Sequence, residues 1–195
     1  KLGFQYSPDV AIKIRNRSQQ LLVNESYEQL VAIPLIPSSR LEIARKNAKK
    51  EVFVNHILIG SSGSYLGKPP NRTLDEAQAL SQQIKNRFAG GENFSVLAKQ
   101  YSDDPGVEKN SGSVGWVSWG TTVHEFQLAA FALEPGVLSE PVLTDFGHHL
   151  ILVTDVRPSD YQHLDDEAYE NYVVSVAKNS IRNQLRPAAL KYDSL

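Results

Sequence analysis

Five histidines, His56, His124, His148, His149 and His163, are the side chains of this chain whose ordinary pKa lies near neutrality. Serine and aspartate accompany them, so a Ser-His-Asp hydrolase is the first chemistry to test. Such a nucleophile sits on a Gly-x-Ser-x-Gly turn between a strand and a helix. Gly60-Ser61-Ser62-Gly63 does not fit that pattern, nor does it lead directly into a helix. A metal centre built from His148, His149 and His163 lacks the close His or carboxylate spacing that such sites use, and no metal or cofactor is expected. Cysteine is absent, which removes thiolate nucleophiles, zinc-thiolate sites and disulfides. Two readings of His56 and His149 then stay open: core imidazoles bonded for the sake of a sheet, or a functional pair. Asp104, in Ser102-Asp103-Asp104-Pro105-Gly106, reads by itself as a turn residue that closes a helix.

The elements that must position these groups follow from periodicity. Residues 112–126 (GSVGWVSWGTTVHEF) are a glycine-punctuated strand and loop running into a helix, with Val114, Trp116 and Phe126 as apolar groups that face a pocket or a partner. Trp116 and Trp119 read as packing or rim residues. From Glu51 the pattern has period two, with Val52, Val54, His56 and Leu58 on one face and Phe53, Asn55, Ile57 and Ile59 on the other. Both faces are apolar, so this strand is central to a sheet covered on both sides.

Thr73-Leu74-Asp75-Glu76 is a capping box opening a helix that carries Leu74, Ala77, Leu80, Ile84 and Phe88 inward and stops at Gly90-Gly91. A shorter helix holds Phe94, Leu97, Ala98 and Tyr101, and another spans 123–133. Strands over 138–144 and 147–156 form a hairpin about Asp145-Phe146. Before this unit, Ser7-Pro8-Asp9 starts a helix with a period that is interrupted midway and ends by Pro34 and Pro37, and Ser38 or Ser39 caps a second one. After it, a helix begins near Leu164 and is ended by Pro187. The chain is thus α+β, with a helical arm (1–50), a central domain (51–158) and a C-terminal helix (159–195).

A net charge of −2 with scattered lysines and arginines excludes a nucleic-acid footprint, and Arg45, Lys46, Lys49 and Lys50 read as the solvated face of a helix. No run approaches the roughly 18 apolar residues of a membrane span. The chain starts at Lys1 and contains neither methionine nor cysteine, which suggests a processed or excised piece with an extracytoplasmic life.

Asn55-His56-Ile57-Leu58-Ile59, the run from Phe94 to Asp104, Gly112 to Trp116, Glu125-Phe126 with Ala129-Ala130-Phe131, and Pro141 to His149 together resemble, in order and spacing, a parvulin-type (PpiC, rotamase) peptidyl-prolyl cis/trans isomerase. The resemblance covers about 51–158. It implies a four-stranded antiparallel sheet surrounded by helices, and a cleft in which an X-Pro bond rotates without a covalent step. Carried over by position, His56 and His149 are paired histidines on facing strands, Asp104 stands where the family has cysteine or aspartate, and Thr144 joins their hydrogen-bond network. Val114 and Phe126 match the apolar wall around the prolyl ring, with Leu58 beside it. Thr122 stands where a methionine is common, which makes the pocket shallower, and His124 replaces a frequent proline. Lys68 and Arg72 are too sparse in the 61–72 loop for a phosphate site, so recognition is expected to be phosphate-independent. Helical segments on both sides resemble the layout of SurA- and PrsA-type folding factors. The expected partners are therefore unfolded or extended proline-containing polypeptides, in the periplasm or at the cell surface. A weakly active parvulin-fold chaperone module that binds extended peptides is the alternative.

Overall fold

The computed structural model describes the backbone of residues 8–190 and the side chains of 8–178 apart from 28, 32 and 162. Its centre is a four-stranded antiparallel sheet of order β2-β1-β4-β3, made of β1 (Lys50–Ile59), β2 (Ser113–Ser118), β3 (Val142–Thr144) and β4 (Gly147–Pro158). The long strands β1 and β4 take the middle because both of their faces are apolar.

On one face, Ile57, Ile59, Leu150 and Leu152 meet α3 (Leu74–Ala89) and α4 (Phe94–Tyr101) through Ala77, Ile84, Phe94 and Leu97. On the other, Val52, Val54, Ile151 and Val153 meet α6 (His124–Ala132) through Phe126 and Ala130. The same core receives Ala44 of α2 (Ser38–Asn47) and Val173, Val176 and Ala177 of α7 (Asp166–Leu190). A single turn, α5 (Val107–Asn110), precedes β2, and α1 (Pro8–Tyr27), which has no buried side chain, runs unbroken into a π-helical turn over Glu28–Ala32.

The Thr73 capping box forms as expected: the Thr73 hydroxyl accepts from Glu76 N–H and the Glu76 carboxylate from Thr73 N–H. Leu74 does not turn inward; it lies in the first turn and is exposed. The Ser7 cap lies outside the described residues. Neither Ser38 nor Ser39 caps α2, because Pro37 occupies the N-cap position and offers no side-chain acceptor. The strand expected over 138–144 is ordered as a ladder only at Val142–Thr144, with an isolated bridge between Leu138 and Leu152. Pro141 has no N–H, and at Ser139 the N–H donates to Ile151 O (2.9 Å) while the hydroxyl, not the carbonyl, accepts from Ile151 N–H (2.9 Å). The last helix begins at Asp166 and, against the expected end, continues through Pro187, which falls in its last turn, to Leu190.

The basic cluster is more than a solvated face. Arg45 forms a fork on Glu170 (2.6 and 3.2 Å), Tyr169 donates to Arg45 O (2.6 Å), and Lys50 donates to Phe131 O (3.1 Å). With Tyr172 donating to Trp119 O (2.7 Å), the Arg45 and Tyr169 bonds fasten α7 across α2 and the turn after β2, while Lys50 ties β1 to α6.

Candidate functional site

Backbone geometry brings His56 and His149 together. His56 lies on β1 and His149 on β4, where it pairs with Leu58, so the two imidazoles project from adjacent strands onto the α6 face. The His56 N–H donates to Gly112 O (2.7 Å). At φ 86°, Gly112 sits so close that a Cβ would lie 2.8 Å from His56 O and 2.9 Å from Ala98 Cβ. On the far side, Asp145-Phe146 make the two-residue turn between β3 and β4. Gly147 follows at φ 129°, where a Cβ would lie 2.5 Å from Ile59 O. That turn delivers Thr144 to His149.

Asp104 is placed by the end of α4. Asp103 N–H donates to Leu58 O (2.7 Å), while Ser102 Oγ accepts from Leu58 N–H (3.1 Å), docking the loop onto β1. Asp104 then bends back, its Oδ1 accepting from Gly106 N–H (3.0 Å), and presents Oδ2 to His56 Nε2 at 3.1 Å. It is a turn residue and a site residue together.

The result is one chain of hydrogen bonds: Thr144 Oγ1 to His149 Nε2 (2.8 Å), His149 Nδ1 to His56 Nδ1 (3.2 Å), and His56 Nε2 to Asp104 Oδ2 (3.1 Å). A carboxylate only accepts, so the Asp104 end fixes the proton positions. With a single proton on each ring, that proton lies on Nε2 of His56 and on Nδ1 of His149, and the Thr144 hydroxyl donates to His149 Nε2, with Gly147 O (3.5 Å) as its other acceptor. The Thr144 oxygen also accepts from Phe146 N–H (3.1 Å).

Burial pushes His149 down to about 3, helped by the neighbouring His56 and His148, so it stays neutral at physiological pH. Burial opposes the charge of Asp104, but Gly106 N–H, His56 and Asn110 outweigh it and hold its carboxyl below the usual range. The array is therefore a pair of imidazoles backed by one anion. A histidine so hard to protonate is a poor general base for Thr144, which argues against hydrolytic use of this Thr-His-His-Asp chain.

The apolar side is built on Phe126, which is buried and stands edge-on to both rings, 5.8 Å from His56 and 5.3 Å from His149. Leu58 is buried on the same strand face as His56. Val114 is the extra residue of a bulge: β1 pairs Val54 with Gly115 and Asn55 with Ser113, which leaves Val114 unpaired and 44% exposed. Thr122 lines a groove of about 1100 Å³, and its Oγ1 is buried without a partner among the described residues. The groove runs between the 61–65 segment, the start of α6 and the β3-β4 turn, and adjoins the imidazole pair at Thr144.

Sequence reasoning missed two supports. Gln127 is fully buried, and its Oε1 accepts from Gly120 N–H (2.8 Å), fixing the turn that carries Thr122; an amide beside Phe126 on an otherwise apolar helix is the signal that could have found it. Arg72 donates to Asp103 (2.5 Å) and to Gly60 O (3.4 Å), pinning the loop that walls the groove. His148 points to the opposite face, as strand alternation requires, among Leu150 and Leu152.

A profile of the family described as "PPIC-type PPIASE domain" matches residues 39–157. The chaperone SurA of Chromohalobacter salexigens is 39% identical over 128 residues, 66% of this chain and 28% of that protein. The foldase protein PrsA of Geobacillus kaustophilus is 36% identical over 146 residues, 74% of this chain and 43% of that one. The chain thus spans less than half the length of either relative. Among solved structures, the peptidyl-prolyl isomerase ESS1 from Candida albicans is 30% identical with a TM-score of 0.50 over 54% of this chain and 63% of that one. PrsA from Bacillus anthracis shares the fold at 19% identity, with a TM-score of 0.53 over 95% and 91% of the two chains.

Proposed function

Because this chain belongs to the PpiC-type peptidyl-prolyl isomerase family, we propose that it accelerates cis/trans rotation about X-Pro bonds in extended or unfolded clients, with the cleft beside Phe126 and the imidazole pair as its site. The observation that carries this reading is the edge-on placement of Phe126 against both linked histidines.

Amide resonance imposes a rotational barrier of roughly 18–20 kcal/mol, and for X-Pro the two isomers differ by only about 1 kcal/mol, so the obstacle is kinetic. A half-rotated amide has lost its charge separation, and a dry apolar slot penalises the planar dipole more than the twisted one. Phe126, Leu58, Val114 and Thr122 hold the ring. The chain from Thr144 to Asp104, two imidazoles backed by one carboxylate, supplies polarity beside the carbonyl without a nucleophile. Lowering the barrier by about 5 kcal/mol corresponds to 10³- to 10⁴-fold acceleration.

Recognition is phosphate-independent on this reading, because Arg72 is engaged with Asp103 and leaves Lys68 as the other cation of the 61–72 loop. The segments 1–50 and 159–195, whose described residues carry α1, α2 and α7, flank the 51–158 domain as client-holding arms, in an extracytoplasmic protein. Among the described residues, no helix is long and apolar enough to cross a membrane.

The test is the exchange rate of a prolyl peptide, with and without phosphoserine before the proline. Acceleration of the plain peptide, not improved by phosphate, is the expected result. A second reading, a chaperone module with little turnover, is favoured by Thr122, which lines the groove and whose buried hydroxyl has no partner among the described residues. An uncatalysed rate alongside measurable binding of an unfolded protein would select it.

A further inference from the structure

The groove beside Thr144 contains a cation that forms no ion pair among the described residues. Arg40, in the first turn of α2, reaches the start of α6, where its Nη1 lies 3.1 Å from His124 Nδ1 and also contacts Nε2. The ion pairs among the described residues engage Arg45, Arg72, Lys85, Arg87 and Arg157, but not Arg40. Glu125 and Asp145 line the same groove, yet neither forms an ion pair with it. His124 offers no compensating charge: burial first, then the Arg40 guanidinium, lowers its pKa, against a weaker opposing pull from Glu125. Val123, at the N-cap of α6, makes no side-chain cap bond, so donors of the first turn remain at this end of the groove. The half-buried guanidinium and the open helix start give this end of the groove one fixed positive charge, with Glu125 and Asp145 on the same lining unpaired to it.

We infer that Arg40 and the open start of α6 form a subsite for the carboxylate of an aspartate or glutamate in the client segment that flanks the proline, which makes Arg40 a specificity-determining residue. A guanidinium meets a carboxylate with two parallel hydrogen bonds, and the neutral His124 sets the orientation of the fork. The inference rests on the isomerase reading above, for it takes the groove to be the continuation of the prolyl cleft. If Arg40 served only to staple α2 to α6, the charge of the client would be immaterial.

The experiment compares paired peptides carrying Glu or Gln at successive positions on either side of one proline, read on the full chain as Kd and as kcat/KM. The expected result is a preference for Glu of about 5-fold, at one position or two adjacent ones other than the residue just before the proline, that shrinks as salt is raised. Arg40→Gln brings the ratio to about 1, Arg40→Lys keeps part of it, and Arg40→Glu turns it toward a Lys-bearing peptide. A ratio near 1 at every position in the parent chain, or a preference that survives Arg40→Gln, overturns the inference. Because the ratio is also read in Kd, a chain that binds without turnover refutes the isomerase reading while still deciding the charge preference.

Discussion

His148 and His149 are neighbours in the chain and occupy opposite faces of one strand, and the contrast between them separates what the two sides of the sheet do. His149 has both ring nitrogens bonded, to His56 and Thr144, and an aromatic edge against it. His148 is equally inaccessible, at 4% against 5%, but its Nδ1 has no partner among the described residues. One face spends its polar groups in a connected array; the other packs α3 and α4 against aliphatic side chains. Residue type is the same on both, and only the array makes one of them a candidate for chemistry.

The largest expected effect follows from emptying the array's apolar wall. Phe126→Ala should lower kcat/KM by about 100-fold or more and cost roughly 3–5 kcal/mol of stability, measured by denaturant unfolding beside the exchange assay. Unchanged turnover would dissolve the distinction between the faces. Next comes acidity. His149 has a folded pKa of about 3, below its unfolded value, so between those values the unfolded chain binds the extra proton. Stability is therefore full above the unfolded pKa and falls as pH drops toward 3, by about 1 kcal/mol per pH unit. In His149→Gln that part of the slope between about pH 6 and 4 should vanish, leaving the smaller contributions of the other depressed histidines, His124 and His148. An unaltered slope would show that His149 is not held neutral. The smallest effect belongs to the opposite face: His148→Leu should change stability by less than about 1 kcal/mol and leave turnover alone, because removing an unpartnered polar atom from an aliphatic setting costs little. A large loss of turnover there would mean that the two faces are coupled.

Much of this was legible before any coordinates. The alternation from Val52 to Ile59, the Thr73 capping box and the hairpin about Asp145-Phe146 each depend on local chemistry, and each forms. The pairing of His56 with His149 was legible because several separated motifs agreed in order and spacing. What local pattern could not carry was partnership across long stretches of chain. Arg45 reads as a solvated cation until Glu170 lies opposite it. Ser139 reads as a strand residue until its hydroxyl, not its carbonyl, accepts from Ile151 N–H. Arg40 has no meaning in its own helix, since what gives it one is His124, far along the sequence. Val114 was foreseen as part of a wall, but its half-exposed pose follows from a bulge that only the register of β1 and β2 reveals.

The hydrogen-bond chain from Thr144 to Asp104 has a sense of direction, since every proton in it leans the same way. A donor installed at the Asp104 end would oblige both rings to exchange tautomers and the threonine hydroxyl to swing away. Residues that never touch therefore report on one another, and a change of charge at a loop is felt as a change of proton address on the far strand.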